Sequence, residues 1–115
     1  MATQINIILN AQQQVTVSQL DATVHFLTDP VVVWNNTLTS DVLWVFPGAP
    51  SLFVENDVRK TIPAGQPLTR NIDQNTGVRG QQGYTVGLAT MAATAGGSNY
   101  QGPPAQPGPG LDIEP

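Results

Sequence analysis

The sequence predicts an all-β protein: a single antiparallel β-sandwich that carries a Gly/Pro-rich C-terminal segment. Three observations support this. Residues 4 to about 90 are rich in Val, Ile, Thr and aromatic residues, and they alternate apolar with polar at a period of two, as half-buried strands do. Clusters of turn-forming residues break that pattern roughly every ten residues, the spacing of sandwiches and barrels. Helical periodicity is lacking: "LATMAATA" (88–95) has good helix formers, but it leaves a strand pattern and runs into Gly96-Gly97, which leaves room for about one or two turns.

The first expected strands are "QINIILN" (4–10), "QVTVSQ" (14–19) and "ATVHFLT" (22–28), each placing apolar residues on alternate positions. Asp29-Pro30 then turns the chain into "VVVWN" (31–35), which is followed by "DVLWVF" (41–46). After Pro47-Gly48 come "SLFVE" (51–55) and "RKTIP" (59–63). Pro63-Ala64-Gly65 leads to "PLTRNI" (67–72), and Asn75-Thr76-Gly77 opens a loop before "YTVGLAT" (84–90). "AGGSNYQGPPAQPGPG" (95–110) cannot hold regular structure, and "GLDIE" (110–114) is expected as a closing strand.

At 115 residues the chain fits one domain, with residues 1–95 as its body and residues 96–115 as a tail of the same unit. Only 10% of residues are charged, and eleven Gln, eight Asn and twelve Thr make up the difference, so the surface is polar but largely uncharged. Four Lys and Arg against eight Asp and Glu argue against nucleic acid and anionic membranes as partners, because both attract clustered cations. No cysteine is present, which excludes disulfides, thiolate metal sites and cysteine nucleophiles. "MATQINIILN" lacks the basic leader and apolar core of a secretory signal, and no run approaches the roughly 18 apolar residues of a membrane span. The expectation is a cytoplasmic protein or one released by a non-classical route.

"VVVWNN", a second aromatic strand, "TIPAGQPLTRNI", "GYTVGL" and "GLDIEP" together resemble the cupredoxin-like β-sandwich, although these features also suit an immunoglobulin-like sandwich. The resemblance spans roughly residues 15–115 and implies a copper site, which this chain does not carry. Leu88 stands where the thiolate ligand falls, no His follows Asn35-Asn36, and Met91 is the sole ligand type near the last hairpin. Blue copper needs two imidazoles and a thiolate, whereas this chain has one His in total. The resemblance therefore implies a copper-free relative, with no metal and no cofactor.

Candidate chemistry elsewhere is sparse. His25 in "TVHFL" has no second His to join, which favours a partly buried or strand-edge histidine over a ligand. "VENDVRK" (54–60) sets Glu55, Asp57 and Arg59 on one side of an extended chain, a pattern open to calcium or acid–base work but more simply a charge-paired edge, with Arg59 and Lys60 guarding it. No Gly-x-Ser-x-Gly is present, and "GVRGQQG" (77–83) has no following Lys-Ser/Thr, so it reads as a hairpin loop. Asn35-Asn36-Thr37 fits the glycosylation pattern but reads as incidental without an export signal.

"PVVVWNNTLTSDVLWVFPG" (30–48) is the most informative stretch. Paired as a hairpin, it puts Val32, Trp34, Val42, Trp44 and Phe46 on one face and Val31, Val33, Leu43 and Val45 on the other, so neither face is polar. The Trp face is expected in the core. The aliphatic face needs a cover, either the tail or another subunit. The functional expectation is a non-enzymatic structural or protein-interaction module that self-associates through Val31, Val33, Leu43 and Val45. The alternative is a small carbohydrate-binding domain that stacks sugars on Trp34, Trp44 or Tyr100 beside Asn35 and Asn36. An enzyme using Glu55 and Asp57 comes last.

Overall fold

The computed structural model describes residues 2–89 and 109–115. Its elements are β1 (Thr3–Leu9), β2 (Val15–Val17), β3 (Asp21–His25), β4 (Val31–Asn36), β5 (Val42–Val45), α1 (Ala49–Leu52), β6 (Arg59–Ile62), β7 (Pro67–Asn71), β8 (Gly80–Gly83), β9 (Thr85–Leu88) and β10 (Gly110–Glu114). The fold is all-β. One sheet has the order β2-β1-β4-β7, and two smaller ones have the orders β3-β10-β8 and β6-β5-β9. β8 and β9 are one run broken only at Tyr84, so the smaller sheets share a backbone and together form the layer opposite the first.

Period-two alternation does the positioning. Ile5, Ile7, Val32, Trp34 and Leu68 point inward from the first layer, while Ala22, Val24, Val42, Trp44, Val86, Leu111 and Ile113 point inward from the second, and all belong to one buried cluster. Aromatic rings fill its middle. Trp34 and Trp44 meet edge-on with centroids 5.2 Å apart, and Phe46 stacks on Tyr84 at 5.5 Å. Arg70 also points inward, its guanidinium 5.6 Å from the Trp44 ring centroid and 2.9 Å from Asp57.

The expected pairing of 31–35 with 41–46 does not form. β4 lies between β1 and β7, and β5 between β6 and β9, so both edges of each strand are taken and the two strands face each other from opposite layers. Residues 37–41 are therefore a crossing between layers. Asn36, 2% exposed, fixes it: Nδ2 donates to the carbonyls of Ser40 (2.9 Å), Ile62 (3.0 Å) and Pro63 (3.2 Å), and Oδ1 accepts from the Leu38 N–H (3.0 Å).

Three further expectations are corrected. The pairing is mixed rather than purely antiparallel, because β1–β4 and β3–β10 run parallel. Parallel neighbours need a crossover, and the excursion of β3 into the opposite layer supplies it for β1 and β4. "SLFVE" (51–55) is not a strand: Pro50 starts the single turn of α1, where its missing N–H costs nothing, and only Phe53 makes a bridge, to Ile72. The "GVRGQQG" loop ends in a strand instead, β8, which pairs with β10. Gly110 eases that contact, since a Cβ there would lie 3.3 Å from the Gln82 carbonyl oxygen. The expected helical turn after residue 89 and most of the Gly/Pro tail lie outside the described residues.

Candidate functional site

The four aliphatic residues expected to share one surface do not. Trp34 and Trp44 both point into the core, so alternation turns Val31 and Val33 onto the outer face of the β2-β1-β4-β7 sheet, and Leu43 and Val45 onto the outer face of the opposite layer. Val31, Val33 and Val45 are half-buried and Leu43 is only 8% exposed. Apolar residues on both faces of β4 and β5 now have a structural cause: each is a central strand, and its flanking neighbours shade its outer face.

The residues of the carbohydrate alternative are placed differently from expectation. Both tryptophans are fully buried, so neither indole presents a stacking surface. Asn36 is buried and committed to backbone groups. Asn35 reaches the outer face, where its Nδ2 donates to Gln4 Oε1 (2.9 Å) and Asn6 Oδ1 (3.3 Å). Tyr100 lies outside the described residues.

Around Val31 and Val33 the first sheet presents an unusual chemistry. Register places Gln4, Val33 and Thr69 in one row, Asn6, Asn35 and Pro67 in the next, and Val31 beside Asn71 at one end, with Ile8 and Thr16 at the other. The one charged residue in these four strands is Arg70, which points inward with its side chain 8% exposed. The outer face is therefore a flat field of amides and hydroxyls around aliphatic side chains. The strand pattern of 4–9 held the signal for Gln4, Asn6 and Ile8, but only the placement of β1 beside β4 joins them to the valines. The opposite layer differs, with Asp21, Asp112, Glu114 and His25 on the outward positions of β3 and β10, and Arg59 on β6.

The acidic run serves the edge of β7. Glu55 accepts from the Asn71 backbone N–H (2.9 Å) and from Asn71 Nδ2 (2.6 Å), while the Val54 N–H donates to the Asn71 carbonyl (2.8 Å). Burial pushes the Glu55 carboxyl up, but the two Asn71 donors and the charge of Arg70 outweigh it and hold the group below its ordinary value. Asp57 pairs with Arg70, not with Arg59. Arg59 and Lys60 are exposed on β6, the edge strand of its sheet, as a guard of that edge requires.

His25 is exposed at the end of β3, with Nδ1 3.1 Å from the Pro115 oxygen. Among the described residues no group of three His, Cys, Asp or Glu could hold a metal ion. A cavity of about 340 Å³ opens beside the layer crossing, lined by Leu9, Leu38 and Leu88 together with Gln13, Thr37 and Ser40. The Thr37 hydroxyl in its wall donates to the Ile7 carbonyl (2.6 Å), so it is already used. No family model matches the chain, and no curated protein matches it either.

Proposed function

We propose that this protein is a non-enzymatic structural or interaction module, a copper-free relative of the cupredoxin-like sandwich, that self-associates through the outer face of the β2-β1-β4-β7 sheet. The observation that carries this reading is that none of these four strands points a charged side chain outward, Glu55 reaching only their Asn71 edge, whereas the strands of the other outer face bear carboxylates. Two copies can meet there without juxtaposing like charges. The Gln4 and Asn6 amide nitrogens and the Asn35 amide oxygen, which the bonds within the face do not use, offer donors and an acceptor to the same groups of the partner, as a two-fold interface requires.

Four strands at about 4.8 Å spacing and about five residues at 3.3 Å give a plan area of roughly 300 Å². That is well under the ~800 Å² per partner of a standard interface, so the association is weak and concentration-dependent. Sedimentation velocity from low micromolar to millimolar protein tests it. Val33→Lys shifts the distribution toward monomer with folding intact, whereas Val45→Lys, on the opposite outer face, leaves it unchanged. A wild-type chain that stays monomeric at high micromolar concentration sinks the reading.

A further inference from the structure

With β8 and β9 joined as one run in the middle of the second layer, the outermost strands of the two layers are β2, β7, β6 and β3, and three of these four are protected. β2 is three residues long, β6 carries Arg59 and Lys60, and β7 is covered by residues 53–57 through Glu55 and the Val54 N–H. β3 is different. It has no Lys and no Pro, and among the described residues it pairs only with β10 and no segment covers it.

The hydrogen bonds at its ends show which backbone groups are free. The Gly110 N–H donates to the Leu20 carbonyl and the Phe26 N–H to the Glu114 carbonyl, both at 2.9 Å, so Leu20, Ala22, Val24 and Phe26 face β10. The backbone groups of Asp21, Thr23 and His25 therefore point away from it. Of these, the His25 carbonyl already accepts from Thr28 and Asp29, which leaves both groups of Asp21 and Thr23 and the N–H of His25.

From this edge we infer a second interaction surface, in which β3 pairs antiparallel with β3 of another copy of this chain about a two-fold axis at Thr23. The register is self-complementary. With Thr23 opposite Thr23, each Asp21 lies opposite the partner's His25, a carboxylate facing an imidazole. The two Thr23 residues exchange N–H···O bonds, and each His25 N–H donates to the partner's Asp21 carbonyl. Gln81 Nε2 already donates to one Asp21 oxygen, which orients that carboxylate and leaves its second oxygen available.

Two observations besides the bare backbone fit the two-fold. Leu20 and Leu27 bracket the strand at 48% and 59% exposure, and the axis brings Leu20 of one copy to the end where the partner's Leu27 lies. Like charges stay apart: Glu114 shares a row with the partner's Asp21 at two strand spacings, about 10 Å, with the His25 imidazole between them, and the two Asp112 residues are three spacings apart, about 14 Å. The first distance is at, and the second beyond, the screening length of about 8–10 Å at ordinary salt.

This surface is separate from the uncharged face described above, and the experiment keeps the two apart. The cysteine-free chain allows a single Thr23→Cys substitution, which sets two thiols on the axis within disulfide reach. The expected result is a disulfide-linked dimer under mild oxidation at micromolar protein, formed about tenfold faster or more than by control chains bearing Thr61→Cys or Ser51→Cys, exposed positions off both surfaces. Thr23→Lys should remove this contact in sedimentation and leave the Val33-dependent association in place, and Val33→Lys should do the reverse. Near-ultraviolet circular dichroism confirms that each variant is folded. Cross-linking no faster than the controls, or Thr23→Lys sedimenting like wild type, overturns the β3 pairing whatever happens at the face.

Discussion

Replacing Asn36 by Ala tests the crossing that sends β4 and β5 into opposite layers. The wild-type amide serves four backbone groups: the carbonyls of Ser40, Ile62 and Pro63, and the Leu38 N–H. The Ser40, Pro63 and Leu38 contacts are partly buried, so water can take them over at a net cost of about 0.5–1 kcal/mol each. The Ile62 carbonyl is reached through a buried bond and loses a partner that water cannot easily replace, at about 1–3 kcal/mol. The sum is about 3 kcal/mol after allowing for one Nδ2 being shared among three acceptors. For a domain of this size that lowers Tm by roughly 10–15 °C and leaves most molecules folded at 25 °C. Urea unfolding followed by the fluorescence of the two buried tryptophans reads it directly, with the midpoint falling at unchanged slope. Asn36→Asp keeps the acceptor for Leu38 but sets a carboxylate against three carbonyls, so it should be at least as damaging at neutral pH and milder in acid. A loss of under about 0.5 kcal/mol in Asn36→Ala refutes the claim that this side chain holds the crossing.

Two pH dependences follow, one from a buried phenol and one from a half-buried carboxylate. Burial pushes the Tyr84 hydroxyl up to about 12, against the modest opposing influence of the Trp34 indole. Folding therefore favours the neutral phenol, and stability is intact below pH 10 and declines by about 2–3 kcal/mol as pH rises from about 10 through 12. Tyr84→Phe should flatten that alkaline decline, and an unchanged slope in denaturation curves counts against it. Glu55 is held below its ordinary value, so its stabilisation is present above the ordinary glutamate range and is lost as pH falls through the lowered value. The Glu55→Gln and wild-type stability curves should differ at neutral pH and converge in acid, and parallel curves refute the edge-covering role.

Much of this fold was legible in the sequence, because alternation is a local property. Nine of the ten expected strands appear, and the inward direction of Trp34, Trp44, Ile5, Ile7, Val24, Ile62 and Ile113 follows from period-two patterning. "SLFVE" failed because Pro50 nucleates a turn just before it, and β8 was missed because glycine and glutamine carry little strand signal of their own. β8 exists because β10 lies beside it.

The candidate surface divides the same way. The sequence by itself determined that β4 and β5 are apolar on both faces, that the chain offers no thiolate and only one imidazole, and that its surface is amide-rich and largely uncharged. It did not determine which strands are neighbours, because strand pairing is set by long-range packing and not by the residues between two strands. Only the tertiary structure separated Val31 and Val33 from Leu43 and Val45 and brought Gln4, Asn6 and Thr69 beside the first pair. Once β1 and β7 occupy both edges of β4, β5 has no edge left to join, and burying two tryptophans against each other is what sends it to the opposite layer.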